Sequence, residues 1–222
     1  MPTIASENLL KAILELSEDG EAVIAARLAQ FLRISPAAVS MALKRLLHRK
    51  DIRFTPRKTI LLTPKGFEQA CALVRKHRLA ERLLVDVLHM PWEKVHDEAE
   101  KLEHAISPEL EARLLELFGA AGTCPHGSPF TPQMPLGQHR DEVALADAPV
   151  NQPLLVVRIA ELHEHEENFL ESLAALHLKP GTTVHVARKT FDGILEIKTG
   201  GKNVSVSQLT GSRIWVRHSA SA

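Results

Sequence analysis

The chain has 222 residues, with 27 Lys and Arg against 27 Asp and Glu, so it carries no formal net charge and is long enough for two or three small domains. The balance excludes a globally basic nucleic-acid-binding protein, and no apolar run is long enough to span a membrane. Two cysteines are too few for a disulfide framework, and the first residues lack the pattern of a secretory signal, so we expect a cytoplasmic protein without membrane association.

The neutral total hides a division of charge along the chain. From Arg27 to Lys65 there are ten Lys or Arg and a single acid, Asp51, whereas from Gly66 to Gly119 seven basic residues face eleven acidic ones. A basic module inside a neutral protein favours polyanion binding by that module alone.

The N-terminal segment is predicted to contain three helices and a hairpin. Residues 7–17 carry apolar side chains at helical spacing, and a second helix is predicted for residues 23–31. A third begins with Ser35 as N-cap and Pro36 at the first helical position. The stretch "IRFTPRKTILLTPKG" then predicts a hairpin that turns at "TPRK". This is the order of a winged helix-turn-helix.

Residues 65–118 are predicted to be almost wholly helical. One helix runs from about residue 65 to residue 88, a second covers 92–106, and a third begins with Ser107 as N-cap and Pro108 at the first position. Their apolar faces predict a bundle suited to a dimer interface.

The remainder of the chain is predicted to be a linker followed by a small β domain. Residues 119–153 are rich in Pro and Gly. Five short β-prone runs follow, "LLVVRIAELH", "TVHVARK", "ILEIKT", "NVSVS" and "RIWVR", together with one helical stretch, "NFLESLAAL". They predict a β-barrel of about 70 residues with one short helix.

The stretch "KVHDEAEKLEHAIS" gathers histidines and carboxylates on one helical face. At about 100° per residue, the side chains of His96, Glu100, Glu103 and His104 fall within an arc of about 100°, beside an apolar stripe. Buried carboxylates must be paired or coordinated, so three or four N and O donors at such a boundary favour a divalent cation.

His77 and Glu81 form a second pair, one turn apart on the preceding helix. The alternative for both helices is a solvated face with ion pairs to Lys101, Arg78 and Arg82. Two successive helices that each carry His and Glu at this spacing favour the metal site.

Placed behind a winged helix, "RKHRLAERLL", "KVHDEAEKLEH" and "CPHG" resemble the diphtheria-toxin-repressor family of metal-dependent transcriptional regulators. The resemblance covers nearly the whole chain and implies a mainly α fold with small β. Its expected parts are a winged helix-turn-helix DNA-binding domain (1–65), a helical metal-binding and dimerisation domain (66–140), a linker (141–152) and an SH3-like, FeoA-like β-barrel (153–222). It also implies a homodimeric repressor of metal-uptake genes, not an enzyme.

The family's metal ligands carry over by position. Its first site matches His77, Glu81 and His96. Its regulatory site matches Glu100, Glu103 and His104, together with a ligand from the first helix. In that helix the matching residue is Asn8, an uncharged amide where the family has methionine or aspartate, and Glu7 would serve only with the helix rotated.

The resemblance also bears on the choice of metal. Iron-type members have cysteine at the position of Glu100, so the glutamate favours Mn(II). Fe(II) is the alternative, and we expect Zn(II), Co(II), Ni(II) or Cd(II) to substitute in vitro. Metal at the regulatory site would tie the winged helix to the dimerisation domain and fix the spacing of the two recognition helices.

Two further segments are candidate ligand sources. Cys124 and His126 of "CPHG" match ligands of some manganese-type relatives, and the alternative is a Pro-Gly turn with incidental side chains. In iron-type relatives the barrel contributes to the first site. The matching stretch here is "ELHEHEEN", in which Glu166 is the first candidate, followed by Glu164 and the two histidines; the alternative is an exposed acidic loop.

The third helix is predicted to enter the major groove of double-stranded operator DNA with its N-terminal half. The residues expected to contact bases are Ser35, Ala37, Ala38, Ser40 and Met41. Those expected to contact phosphates are Arg27, Lys44, Arg45, His48, Arg57 and Lys58. Few of them can read guanine bidentately, so we expect an A·T-rich palindrome read partly by shape. The alternative is a solubilising basic surface.

Two other functions fit parts of the pattern. A di-metal enzyme would use the carboxylate and histidine cluster on a helical bundle, but such enzymes usually enclose a substrate pocket with four helices. The sequence shows neither a nucleophile-base pair nor a phosphate-binding glycine loop. A winged-helix interaction module with a purely structural acidic helix predicts no effect of metal on stability.

Overall fold

The computed structural model describes residues 3–20, 22–134, 141–160 and 168–219. The α-helices are α1 (Ile4–Glu18), α2 (Ala25–Phe31), α3 (Pro36–His48), α4 (Pro64–Asp86), α5 (Val95–Leu102), α6 (Pro108–Phe118), α7 (Phe169–Ala175) and α8 (Gln208–Gly211). The strands are β1 (Ile52–Phe54), β2 (Ile60–Leu62), β3 (Val143–Ala144), β4 (Pro153–Ile159), β5 (Thr183–Lys189), β6 (Ile194–Thr199), β7 (Lys202–Ser207) and β8 (Ile214–His218). None of the described helices is long and apolar enough to cross a membrane.

The chain divides into two compact units. Unit 1 consists of Met1–Leu83, Asp97–Gly122 and Pro129–Gln138. Unit 2 consists of Leu84–His96, Thr123–Ser128 and His139–Ala222.

Local capping sets the helix starts in the winged helix of unit 1. The Thr3 hydroxyl accepts a hydrogen bond from the backbone N–H of Ser6 at 3.3 Å and caps α1. The Ser35 hydroxyl accepts from the N–H of Ala38 at 3.2 Å, and Pro36 takes the first position of α3, as predicted. The predicted order of three helices and a hairpin is confirmed.

The hairpin is held close to the start of α4. Strands β1 and β2 pair antiparallel, beginning with Ile52 opposite Leu62. Directly after the hairpin, a Cβ added to Gly66 would lie 1.9 Å from the carbonyl oxygen of Asp51. Only glycine fits this approach, so α4 starts in a fixed position against the wing.

α1 is buried almost all round and is tied to α4 by an ion pair. Arg78 donates from Nη2 to Glu18 Oε2 at 2.6 Å and from Nη1 to the carbonyl oxygen of Pro129, also at 2.6 Å. The Arg78 side chain is only 1% exposed. A buried arginine requires such partners, so these contacts fix where α1 crosses α4.

The acidic helix is shorter than predicted. Residues 92–94 form a 3₁₀ turn and α5 ends at Leu102, so Glu103 and His104 lie in the turn that follows. The N–H of Glu103 still donates to the carbonyl oxygen of Ala99 at 2.9 Å, so this residue keeps a helical position. The predicted cap of α6 is confirmed, with the Ser107 hydroxyl accepting from Leu110.

Unit 2 contains an antiparallel six-stranded sheet in the order β3-β8-β4-β5-β6-β7, with α7 and α8 beside it. Its core includes Trp92 from the 3₁₀ turn, whose indole N–H donates to the carbonyl oxygen of Pro125 at 2.8 Å. The predicted linker 141–152 carries β3, and its residues Leu145 and Ala148 are fully buried in that core. Their apolar side chains give this Pro-poor stretch a place in the sheet domain.

Candidate metal centre and DNA-binding face

A cluster of buried charges lies where α1 meets α4 and the turn after α5. Lys11 Nζ lies 2.7 Å from Glu103 Oε2 and 2.9 Å from His77 Nδ1. His77 Nδ1 is itself 2.7 Å from Glu103 Oε2, and its Nε2 is 3.2 Å from Glu81 Oε1. Glu15, one turn after Lys11, lies 3.9 Å from the ammonium. All five side chains are at most 6% exposed.

These contacts shift the protonation equilibria of the cluster. Burial by itself would raise the pKa of Glu103, but the hydrogen bond from His77 and the Lys11 ammonium lower it to about 2. Burial and the Lys11 charge oppose protonation of His77, yet Glu81 and Glu103 raise the pKa of the imidazole above its ordinary value. Burial likewise opposes the charged form of Lys11, but Glu15 and Glu103 raise the pKa of its ammonium. Glu103 is therefore a carboxylate at neutral pH.

A second group of donors surrounds His104, which is 21% exposed. Its Nε2 lies 2.9 Å from Asn8 Oδ1 and 3.5 Å from Glu103 Oε1. Its Nδ1 lies 3.3 Å from Glu7 Oε2. One imidazole therefore faces two consecutive residues of α1 and the second oxygen of Glu103, with Glu7 at the ring nitrogen that does not face Asn8.

The other predicted ligand positions differ in exposure. The Glu100 side chain is exposed on α5. His96, Cys124 and His126 belong to unit 2 and are buried. Predicted ligands Glu164 and Glu166, with the rest of 161–167, lie outside the described residues.

"CPHG" forms a tight turn packed on β4. The N–H of Cys124 donates to the carbonyl oxygen of Ser128 at 2.8 Å. Gly127 has φ +96°, and a Cβ there would lie 2.0 Å from the carbonyl oxygen of Val157. The turn places the His126 ring 4.8 Å from that of Trp92. The Pro-Gly turn considered from the sequence is therefore present, with both candidate ligand side chains turned inward.

The sequence does not predict the contacts of Lys11 with Glu103 and His77, or the contact of Glu7 with His104. The available signal was "LLKAILEL", where a lysine stands inside an apolar run. A helix whose whole circumference is apolar is buried, so its lysine must have a buried partner.

The residues that are predicted to contact DNA are accessible on the surface of the winged helix. Those fully or partly exposed are Arg27, Ser35, Ala37, Ala38, Ser40, Met41, Lys44, Arg45, His48, Arg57 and Lys58. Val39, Leu43 and Leu46 of α3 point inward and are buried. α3 and the wing border a groove of about 670 Å³, lined among others by Ser40, Lys44 and Arg57. Recognition helix and wing thus present cations to one common surface.

Arg49 stands apart from this face although it belongs to the same basic stretch. Its Nε donates to the fully buried Asp51 carboxylate at 2.8 Å, and its Nη2 donates to Gln69 at the same distance. The residue therefore holds the base of the wing against α4.

Comparison with known protein families matches three successive stretches. Residues 2–52 match an iron dependent repressor, N-terminal DNA binding domain. Residues 63–132 match an iron dependent repressor, metal binding and dimerisation domain, and residues 143–218 match a FeoA domain.

Individual relatives match over nearly their whole length. The iron-dependent repressor IdeR of Mycobacterium leprae is 34% identical over 211 residues, covering 90% of this chain and 91% of that protein. The diphtheria toxin repressor of Corynebacterium diphtheriae is 31% identical over 208 residues, with 90% and 91% covered. The solved structure of the manganese regulator SloR is similar with a TM-score of 0.79 and 30% identity, covering 96% of this chain and 98% of that one.

Proposed function

The chain belongs to the iron-dependent repressor family and is a metal-dependent transcriptional repressor, and on this premise we propose that Mn(II), with Fe(II) as the alternative, activates it at a centre formed by Glu103, His104 and Asn8. The observation that carries the proposal is the position of His104. Its Nε2 lies within 3.5 Å of both Glu103 Oε1 and Asn8 Oδ1, so one side chain joins α1 to the turn after α5.

The donors suit this cation. A carboxylate oxygen, an imidazole nitrogen and an amide oxygen form a set that Mn(II) accepts, and no thiolate belongs to it. Glu100, exposed one turn earlier on α5, is proposed as the second carboxylate. An oxygen donor at that position favours manganese over softer metals, and the negative charge of Glu103 at neutral pH makes it ready to ligate.

Glu7 has an orienting role in this proposal. When the Nδ1–H of His104 donates to Glu7, Nε2 carries the free electron pair toward Asn8 and Glu103. Metal-ligating histidines commonly donate their second N–H to a carboxylate, which fixes the tautomer and ring orientation. Asn8 is uncharged where the family has aspartate or methionine. Glu7 places a negative charge beside the same imidazole and so partly compensates for the missing charge.

The centre links ligand binding to the position of the winged helix. A divalent ion held there would supply the positive charge that Asn8 of α1 and residues 103 and 104 share. α1 packs into the winged helix, so fixing α1 fixes the recognition helix. In a twofold homodimer this sets the distance between the two recognition helices, and the state with the higher metal affinity is the one that binds the operator.

The assignment of the other metal ligands rests on residue type and on burial within each unit. The first metal site is assigned to His77, Glu81 and His96, with Cys124, His126, Glu164 and Glu166 as further ligand candidates. The proposed domains are residues 1–65, 66–140 and 141–222, because residues 141–152, predicted to be a linker, carry β3 and bury Leu145 and Ala148 in the core of the sheet domain. The operator is proposed to be an A·T-rich palindrome in metal-uptake genes, bound by the homodimer in the cytoplasm, and Zn(II), Co(II), Ni(II) or Cd(II) are expected to substitute in vitro.

The enzyme alternative is not retained. Relatives that match over nearly their whole length include the iron-dependent repressor IdeR and the diphtheria toxin repressor, so the chain is a regulator and not a di-metal enzyme.

Operator binding tests the regulatory centre. DNA selected from a random pool by the wild-type protein with Mn(II) serves as the probe, and binding is measured by gel shift with Mn(II) or with chelator. The double substitution Glu103→Ala and His104→Ala should abolish metal-dependent binding, a loss of about 100-fold. Glu116→Ala, at a 66% exposed carboxylate on α6, should leave it unchanged. A double variant that still binds this DNA with wild-type affinity in Mn(II), and loses that binding in chelator as the wild type does, contradicts the proposal.

A further inference from the structure

A buried ammonium group occupies the interior of the metal centre. Lys11 reaches from α1 to within 2.9 Å of His77 Nδ1 and 2.7 Å of Glu103 Oε2, with a side chain that is 6% exposed. Glu15 adds a carboxylate 3.9 Å away. Lys11 contacts two residues that are proposed metal ligands, Glu103 and His77. We therefore count the lysine as part of the metal centre.

The ammonium stands where a divalent ion would otherwise bind. His77 Nδ1 and Glu103 Oε2 are 2.7 Å apart, which suits two ligand atoms of one metal ion at about 2.1 Å from each. Nζ faces the same two atoms, and a second cation in that space would overlap it. Like charges at such distances in a buried site also repel strongly.

Glu103 divides the centre into two halves. Its Oε2 is held by Lys11 and His77, whereas Oε1 faces His104 at 3.5 Å. A carboxylate with one oxygen on each side can bridge two cations. Here the cation at Oε2 is the ammonium group of Lys11.

We propose that Lys11 is an internal cation that fills one of two cation positions at this centre and so restricts the regulatory site to a single divalent ion. The inference rests on the proposed function, because it concerns the same ligands. An uncharged residue at position 11 opens a second divalent-cation site made of His77 Nδ1, Glu103 Oε2 and Glu15.

The test is the Mn(II) content of the full-length protein, measured by equilibrium dialysis followed by metal analysis. The wild type is compared with Lys11→Met, which removes the charge and keeps much of the chain length, and with Lys11→Arg, which keeps the charge. We expect Lys11→Met to bind one more Mn(II) per protomer than the wild type, and Lys11→Arg to bind the same number. Equal uptake by Lys11→Met and the wild type, or extra uptake by Lys11→Arg, overturns the inference.

Two further measurements keep the test decisive if Lys11→Met does not fold. Lys11→Gln offers a polar, uncharged replacement with the same expected gain of one ion. Electron paramagnetic resonance of the Mn(II)-loaded wild type needs no variant: uncoupled Mn(II) is expected, and an exchange-coupled pair overturns the inference. Failure of the proposed function would give a different result. In that case the wild type and a His104→Ala variant would take up the same amount of Mn(II).

Discussion

Replacing Glu103 by glutamine removes one negative charge from the buried cluster and keeps the shape of the side chain. In the metal-free protein the substitution leaves the Lys11 ammonium buried without its nearest counter-charge, at 2.7 Å in the wild type. Because the side chain is 2% exposed, water cannot replace the lost carboxylate. The free energy of unfolding of unit 1 should therefore fall.

The magnitude follows from the pKa of Glu103. Burial opposes its ionisation, but His77 and Lys11 lower the pKa from 4.5 to about 2. That difference corresponds to roughly 3 kcal/mol of stability at neutral pH. Breaking a buried ion pair by removing one partner typically costs about 3–5 kcal/mol, so we expect a loss of about 3 kcal/mol.

Urea unfolding with a chelator present measures this loss. Far-UV circular dichroism reports mainly the helices of unit 1, whereas both tryptophans of the chain, Trp92 and Trp215, belong to unit 2 and report on it by fluorescence. The circular dichroism transition should shift and the fluorescence transition should not. Glu116→Gln, at an exposed ion pair on α6, is the control and should change stability by less than about 1 kcal/mol.

The pH dependence of the free energy of unfolding provides a second test of the Glu103 ion pair. Because the pKa of Glu103 is lower in the folded state, its contribution is present above about pH 4.5 and is lost as the pH falls toward about 2. The wild type should lose stability across this window more steeply than Glu103→Gln. A loss below about 1 kcal/mol at neutral pH for Glu103→Gln would refute the account of the cluster.

Combining Glu103→Gln with Lys11→Met should recover part of the loss, because neither charge is then buried alone.

Two further predictions concern the DNA-binding face and the "CPHG" turn. Lys44→Ala or Arg57→Ala should weaken binding to all DNA sequences alike and reduce the slope of log affinity against log salt by about 1 each, measured by fluorescence anisotropy. Arg113→Ala, 71% exposed on α6, is the control, and an unchanged slope in the first two variants contradicts the assigned phosphate contacts. Gly127→Ala should destabilise unit 2 by about 2 kcal/mol in unfolding followed by fluorescence, because φ is +96° and the new Cβ would lie 2.0 Å from the Val157 carbonyl oxygen. A loss below about 0.5 kcal/mol would show that the turn relaxes.

Local rules account for the parts of the fold that were predicted correctly. Ser35 and Ser107 mark helix starts because a hydroxyl can satisfy a free backbone N–H within the same few residues. The buried stripe of α3 follows from helical spacing, which also leaves the residues of α3 that are predicted to contact DNA outside that stripe. The prediction that the acidic helix covers residues 92–106 is wrong at both ends, since α5 extends only from Val95 to Leu102.

The linker prediction shows where composition misleads. Pro and Gly mark turns, but they do not say whether apolar residues between them reach a core. Leu145 and Ala148 do reach one, because β3 pairs with β8 some 70 residues further along the chain.

Most of the helices and strands, and the residue types that could bind a metal ion, follow from the sequence alone, because helix periodicity and capping act over a few neighbouring residues. Which charges meet depends on how the helices pack. The crossing of α1 over α4 places Lys11 between His77 and Glu103, and the turn after α5 brings His104 to Glu7 and Asn8. These partners are separated by 66 to 97 positions along the chain, so no local pattern relates them, and the low dielectric of the interior makes each pairing decisive.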